Sequence, residues 1–136
     1  MTMCIFCQIV KGEIPCYKVY EDDDFIAFLD ISQATVGHTL IVPKIHVENI
    51  FSLPLDLQKK LAIVINLVSN QLKKTLSISN LNILNNNGPL AGQTVSHFHV
   101  HLLPRYADDD LQITFASHQI SSTEFITLQQ KILAKS

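Results

Sequence analysis

The chain has 136 residues, the size of one domain, and only 16 % of them are charged, against the roughly 25 % common in soluble domains. Ten Lys and Arg against twelve Asp and Glu leave a net charge of −2, which argues against a nucleic-acid binder acting through bulk charge. The longest apolar runs, such as residues 61–65, fall far short of the ~20 residues of a membrane span, and Met1-Thr2-Met3-Cys4 has no charged region leading into an apolar one, so neither anchor nor secretory leader is expected. Three cysteines form no disulfide framework and fit a cytoplasmic location. A chain this short of charge has little with which to coat its surface, so a second subunit is expected to cover part of it.

Residues 4–11 read as a short helical turn with Ile5, Phe6 and Ile9 inward, broken by Gly12 and Pro15. Residues 19–21 and 25–29 read as strands of a hairpin around Asp22, Asp23 and Asp24, whose short carboxylates bond their own backbone in turns. Residues 39–42 form a β-branched third strand that Pro43 ends, because proline lacks the ladder donor. Leu57, Leu61, Val64, Val68 and Leu72 recur at steps of three and four, the apolar face of the main helix. Asp56 near its start and Lys73 and Lys74 near its end suit the helix dipole. Residues 81–84 and 97–103 read as the fourth and fifth strands. Residues 123–133 read as a closing helix with Phe125, Leu128, Ile132 and Leu133 inward. The expected class is α+β, an antiparallel sheet of about five strands with one long helix and a C-terminal helix, in a single domain over residues 1–136.

Three of the six histidines fall in His97-Phe98-His99-Val100-His101. On a strand they share one face, while Phe98, Val100 and Leu102 take the other and fix the register against the core. The imidazoles should then stand about 6–7 Å apart along an exposed groove. Such a row suits a metal site or nucleophilic catalysis, and the pattern alone leaves both open. Upstream, residues 85–94 (NNNGPLAGQT) offer amides, a hydroxyl and glycines that let backbone N–H groups approach a ligand. These neutral donors suit phosphate oxygens.

His97-Phe98-His99-Val100-His101-Leu102-Leu103 resembles the signature of the histidine triad (HIT) superfamily. Asn86-Asn87-Gly88, Ala91-Gly92-Gln93-Thr94, Ile5-Phe6, Glu13-Ile14-Pro15, Phe28-Leu29-Asp30-Ile31 and the segment from Gly37 to Lys44 are similar to it as well, in the same order. The likeness is greatest to the Hint-like branch and its small bacterial relatives. Leu103-Pro104-Arg105-Tyr106 departs from the tryptophan-containing tail of the Hint proteins, and the chain has no Trp. The resemblance implies that His99 is the nucleophile toward an α-phosphorus, that His101 holds the phosphate, and that His38 completes the polar cluster. It further implies that Asn86, Gly92, Gln93 and Thr94 contact phosphate or ribose, that Asp30 accepts from the ribose hydroxyls, and that Phe6, Ile9 and Ile31 flank the base. A carboxylate such as Asp30 is a good partner for a diol and a poor one for phosphate, which agrees with the ribose end.

Cys4-Ile5-Phe6-Cys7 is a Cys-x-x-Cys, by itself equally a redox pair or two packed cysteines. In some relatives such a pair holds a structural zinc with two histidines, which the resemblance carries onto Cys4, Cys7, His46 and His97. No metal is required for the implied chemistry. The expected function is hydrolysis or transfer at the α-phosphate of a purine nucleoside 5′-phosphate derivative, a phosphoramidate for choice, through a covalent nucleotidyl-histidine. The alternatives are a dinucleoside polyphosphate hydrolase, since Pro104-Arg105 resembles the Fhit branch, and a non-catalytic nucleotide sensor or scaffold. The resemblance also implies a homodimer paired through the long helix and the edge strand at residues 81–84.

Overall fold

Five strands, β1 (Lys18–Glu21), β2 (Phe25–Leu29), β3 (Thr39–Pro43), β4 (Asn80–Leu84) and β5 (Val100–Arg105), form one antiparallel sheet in the order β1-β2-β3-β5-β4. The structure is a computed structural model that describes residues 4–135; the expectation about a leader rests on residues 1–3, which lie outside the described residues. The helices are α1 (Ile5–Val10), α2 (Leu55–Leu76) and α3 (Ser122–Ala134). This is the α+β architecture expected, and no described helix is long and apolar enough to cross a membrane.

The β1–β2 turn closes as its sequence dictates. Asp22 Oδ1 accepts from the backbone N–H groups of Asp24 and Phe25 at 2.8 and 2.7 Å. α2 buries Leu57, Leu61, Val64, Val68 and Leu72, all five of the expected residues. They pack on the sheet face that carries Phe25, Ala27, Ile41, Val100 and Leu102, with Phe98 beside them. Each Leu, Ile, Val or Phe among them contributes about 1.5–3 kcal/mol by leaving water. The opposite sheet face carries Ile26, Phe28, Leu40 and Val42, packed by Phe6 of α1, with Cys4, Ile9, Val10, Cys16 and Val95 partly buried against them. That face holds the histidines.

Three local expectations need correction. In α1 it is Phe6 that is buried, whereas Ile5 is exposed and Ile9 half-buried, because a six-residue helix lying on a sheet turns only one side chain fully inward. The fifth strand begins at Val100 and not at His97. The ladder stops there because the Pro43 carbonyl is taken by the His97 ring at 2.9 Å and the His99 carbonyl by the Asn85 amide at 2.9 Å. Side chains have replaced strand partners. Finally, Phe125, Leu128, Ile132 and Leu133 of α3 are exposed, not inward. The exposed stretch of residues 112–121 separates α3 from the sheet.

Candidate active site

The histidine row is neither exposed nor spaced at about 6–7 Å as the strand reading expects. His97 is 0 % and His99 5 % exposed, His101 is half-buried, and the His99 and His101 rings stand 4.9 Å apart. The rings do share one face, and Phe6 meets both His97 and His99 edge-on at 5.8 and 5.1 Å. His97, preceding the strand, turns aside to a separate cluster, so the catalytic candidates on this face are His99, His101 and His38.

Hydrogen bonds fix the tautomers. His99 Nδ1 lies 2.8 Å from the His97 carbonyl, an acceptor only. His99 therefore carries its proton on Nδ1 and keeps a lone pair on Nε2. The Ala34 N–H donates to His38 Nδ1 at 3.2 Å. His38 then carries its proton on Nε2 and donates to His101 Nδ1 at 2.9 Å. His101 is left with an N–H at Nε2. The turn that sets His38 requires Gly37, whose φ is +92° and where a Cβ would run into the Leu76 side chain.

Burial pushes His101 down to about 4, with the neighbouring His99 and His38 adding to the shift. Burial lowers His38 as well, partly opposed by Asp30, whose Oδ2 is 3.6 Å from His38 Nε2. His38 and His101 are thus neutral near pH 7, as the hydrogen bond between them requires. Asp30, His38 and His101 also bring ligand atoms within 4.8 Å of one another. A metal there would need the His38 Nε2 lone pair, which the Ala34 N–H bond denies it. The geometry is that of a hydrogen-bonded chain.

Beside this chain lies an apolar cavity of about 250 Å³, lined by Phe6, Ile9, Phe28, Asp30, Ile31 and Val95 among others. The four residues expected to flank a base and ribose all meet there. Sequence reasoning missed Tyr17 at its rim and Val95 on its wall, whose only signal was position next to a motif. Cys16 also lines it.

The loop of residues 85–94 is internally braced. Asn85 holds the His99 carbonyl, and Asn87 accepts from Ile50 N–H at 2.7 Å and donates to Asn85 at 2.6 Å. Asn86 reaches the Gly92 carbonyl at 3.5 Å. The Gln93 amide is fully used: it accepts from Gly88 N–H and donates to the carbonyls of Glu48 and Val95. Thr94 lines a second hollow beside Cys4 and His46. Asn85 was not singled out from the sequence, and Asn87 only as part of a motif with no role, since an Asn run gives no sign of which member holds the backbone.

Cys4, Cys7, His46 and His97 converge, with ligand atoms all within 4.8 Å. Cys4 Sγ and Cys7 Sγ are 3.3 and 3.6 Å from His97 Nδ1, Cys7 Sγ is 3.3 Å from His46 Nδ1, and the two Nδ1 atoms are 3.2 Å apart. Tetrahedral zinc with ordinary bond lengths would set these edges at about 3.5 Å for S to N and about 3.3 Å for N to N. His97 gives its Nε2–H to Pro43, leaving Nδ1 free as a ligand, and burial keeps its ring neutral. Donor set and spacing both fit one zinc ion.

Residues 11–108 match the HIT domain. The chain is 38 % identical to adenosine 5′-monophosphoramidase hnt1 of Schizosaccharomyces pombe over 133 residues, 97 % of either chain. A crystal structure of a Streptococcus mutans protein superposes at a TM-score of 0.93 with 47 % identity, covering 99 % of this chain and 86 % of that one. A zinc-bound histidine triad family protein from Mycobacterium smegmatis superposes at 0.76 with 34 % identity, covering 97 % and 94 %.

Proposed function

The chain belongs to the HIT domain family, and on that premise we propose that it hydrolyses or transfers at the α-phosphate of purine nucleoside 5′-phosphate derivatives. The single supporting observation is the tautomer chain, which leaves a lone pair on His99 Nε2 and an N–H on His101 Nε2. His99 Nε2 attacks the α-phosphorus, the bond to the leaving group breaks, the leaving group departs with that electron pair and a proton taken up from water, and a nucleotidyl-histidine forms. Water then attacks the same phosphorus, releases the monophosphate and returns the electron pair to His99. Two such displacements are easier than one with water alone.

His101, oriented by His38 and through it by Asp30, donates to a phosphate oxygen. The growing charge on His99 is met by the His97 carbonyl, which accepts the Nδ1–H. Asp30 takes the ribose hydroxyls at the mouth of the apolar cavity, and Phe6, Ile9 and Ile31 hold the base. Asn86, Gly92 and Thr94 face the phosphate, and Gln93 shapes their loop. Cys4, Cys7, His46 and His97 would hold a structural zinc; when bound, it ties the N-terminal helix to the segment ahead of β5 and takes no part in the displacement.

Phosphoramidates are the favoured substrates over dinucleoside polyphosphates. Two basic residues at the ends of the strands that carry the site, Lys44 just after β3 and Arg105 at the end of β5, are spent elsewhere: Lys44 on Glu21 at 2.9 Å, and Arg105 on Asp109, Asn82 and the Leu111 carbonyl. A polyphosphate bridge would find no free guanidinium there. The chain acts as one domain, located in the cytoplasm, and pairs as a homodimer. The test compares kcat/KM for adenosine 5′-phosphoramidate and diadenosine triphosphate on one preparation. A higher value for the second moves the protein to the polyphosphate reading, and binding without turnover of either moves it to the sensor reading.

A further inference from the structure

His99 is the nucleophile of the proposed reaction, yet its backbone lies just outside the sheet. The last pairs of β5 with its neighbours are Val100 with Ile41 of β3 and His101 with Leu84 of β4. Strand pairing therefore stops one residue short of the attacking group. Side chains take over there. Asn85 Nδ2 donates to the His99 carbonyl at 2.9 Å, Asn87 Nδ2 donates to Asn85 Oδ1 at 2.6 Å, and the Ile50 N–H donates to Asn87 Oδ1 at 2.7 Å. A backbone N–H can only donate and a carbonyl can only accept, so the two ends allow each amide one orientation. The relay starts on firm ground. Ile50 and Val47 pack against the main core, and the Val47 carbonyl accepts from the Phe98 N–H at 2.7 Å. The short segment of residues 47–50 thus holds the chain at both Phe98 and His99.

We propose that Asn85 and Asn87 are positioning residues of the nucleophile: their directed pair of amides holds the His99 peptide so that the ring keeps its Nδ1–H on the His97 carbonyl and leaves Nε2 for attack. Both ends of that 2.8 Å ring-to-carbonyl bond belong to the turn that the relay and the Val47 bond clamp. Neither asparagine is among the described residues that line the apolar cavity, so their loss acts on the attacking group and not on the base. The direction of the relay matters as much as its presence. Asn87→Asp keeps an oxygen for the Ile50 N–H but offers Asn85 an acceptor in place of a donor. The Asn85 amide must then turn, and its oxygen faces the His99 carbonyl, two acceptors with no proton between them. This role rests on His99 as the nucleophile in the reading above.

Steady-state kinetics on adenosine 5′-phosphoramidate, together with nitrogen-15 NMR of the histidine rings, test this on full-length wild type, Asn85→Ala and Asn87→Asp. In both variants kcat should fall at least about tenfold, since misplacing a reacting group by about an ångström costs up to about a hundredfold. KM and the calorimetric affinity for adenosine monophosphate should stay as in wild type, because the lost interaction does not touch the bound substrate. The His99 ring should change from a single Nδ1–H form to a mixture of tautomers, a signature that a mere loss of stability leaves unmoved. Asn87→Asp changes almost no volume, so it carries the test where Asn85→Ala fails to fold. Unchanged kcat in the folded variants overturns the relay, as does a fall in kcat while His99 keeps its single tautomer. A wild-type protein that does not turn over the phosphoramidate overturns the reaction instead, and the ring signals of the variants then decide the positioning by themselves.

Discussion

His99 Nδ1 donates to the backbone carbonyl of His97 across 2.8 Å. The bond leaves a single nitrogen, Nε2, free on His99, and it binds the nucleophile to the residue whose own ring faces the cysteine cluster. His99→Ala should therefore abolish turnover while nucleotide affinity, measured by calorimetry, changes by less than about tenfold, or about 1.4 kcal/mol. A variant that retains near wild-type kcat removes His99 from the mechanism.

Cys4, Cys7, His46 and His97 should bind one zinc per chain in protein prepared without chelator, as read by elemental analysis. Removal of the metal, or Cys4→Ser, should lower the melting temperature, because the binding free energy of such a site is folding free energy. Metal-free protein that melts with the native protein contradicts the site.

Asp30 should matter only when the substrate carries ribose hydroxyls. Asp30→Asn should raise KM for a ribonucleotide substrate about tenfold, the scale of one charge-assisted hydrogen bond. With a 2′,3′-dideoxy substrate, variant and wild type should converge. An undiminished gap would mean that Asp30 acts through His38, 3.6 Å away, and not on the sugar.

The buried histidines set a direction for stability against pH. His101 is pushed by burial from 6.5 to about 4, and His38 moves the same way. Between those values the unfolded chain binds more protons than the folded one, so stability rises with pH there. The contribution is complete above about pH 6.5 and is lost as pH falls toward about 4. Melting temperatures should be flat above neutrality and decline through that window. His101→Asn should decline less steeply, and an unchanged slope would show that His101 titrates normally.

Much of this was legible in residue spacing. The steps of three and four from Leu57 to Leu72 marked the buried face of α2 residue for residue, since one helix face meets one sheet face. The same periodicity in α3 marked an apolar stripe and misplaced its partner, because a repeat states that a face is apolar and not which surface covers it. The alternation through His97-Phe98-His99-Val100-His101 gave the correct faces. It gave the wrong strand start, because the ladder ends on two side-chain bonds, His97 to Pro43 and Asn85 to His99, formed between residues distant in sequence. The resemblance carried the metal cluster onto residues that converge. The direction of each histidine proton was not legible at all, since it depends on acceptors such as the His97 carbonyl that folding alone brings into place.

The stereochemical course at phosphorus tests the central claim most directly. With an adenosine 5′-phosphorothioate derivative of defined configuration, hydrolysis in isotopically labelled water should proceed with net retention, since attack by His99 and then by water each inverts the centre. Net inversion would mean a single direct displacement by water and would contradict His99 as the nucleophile.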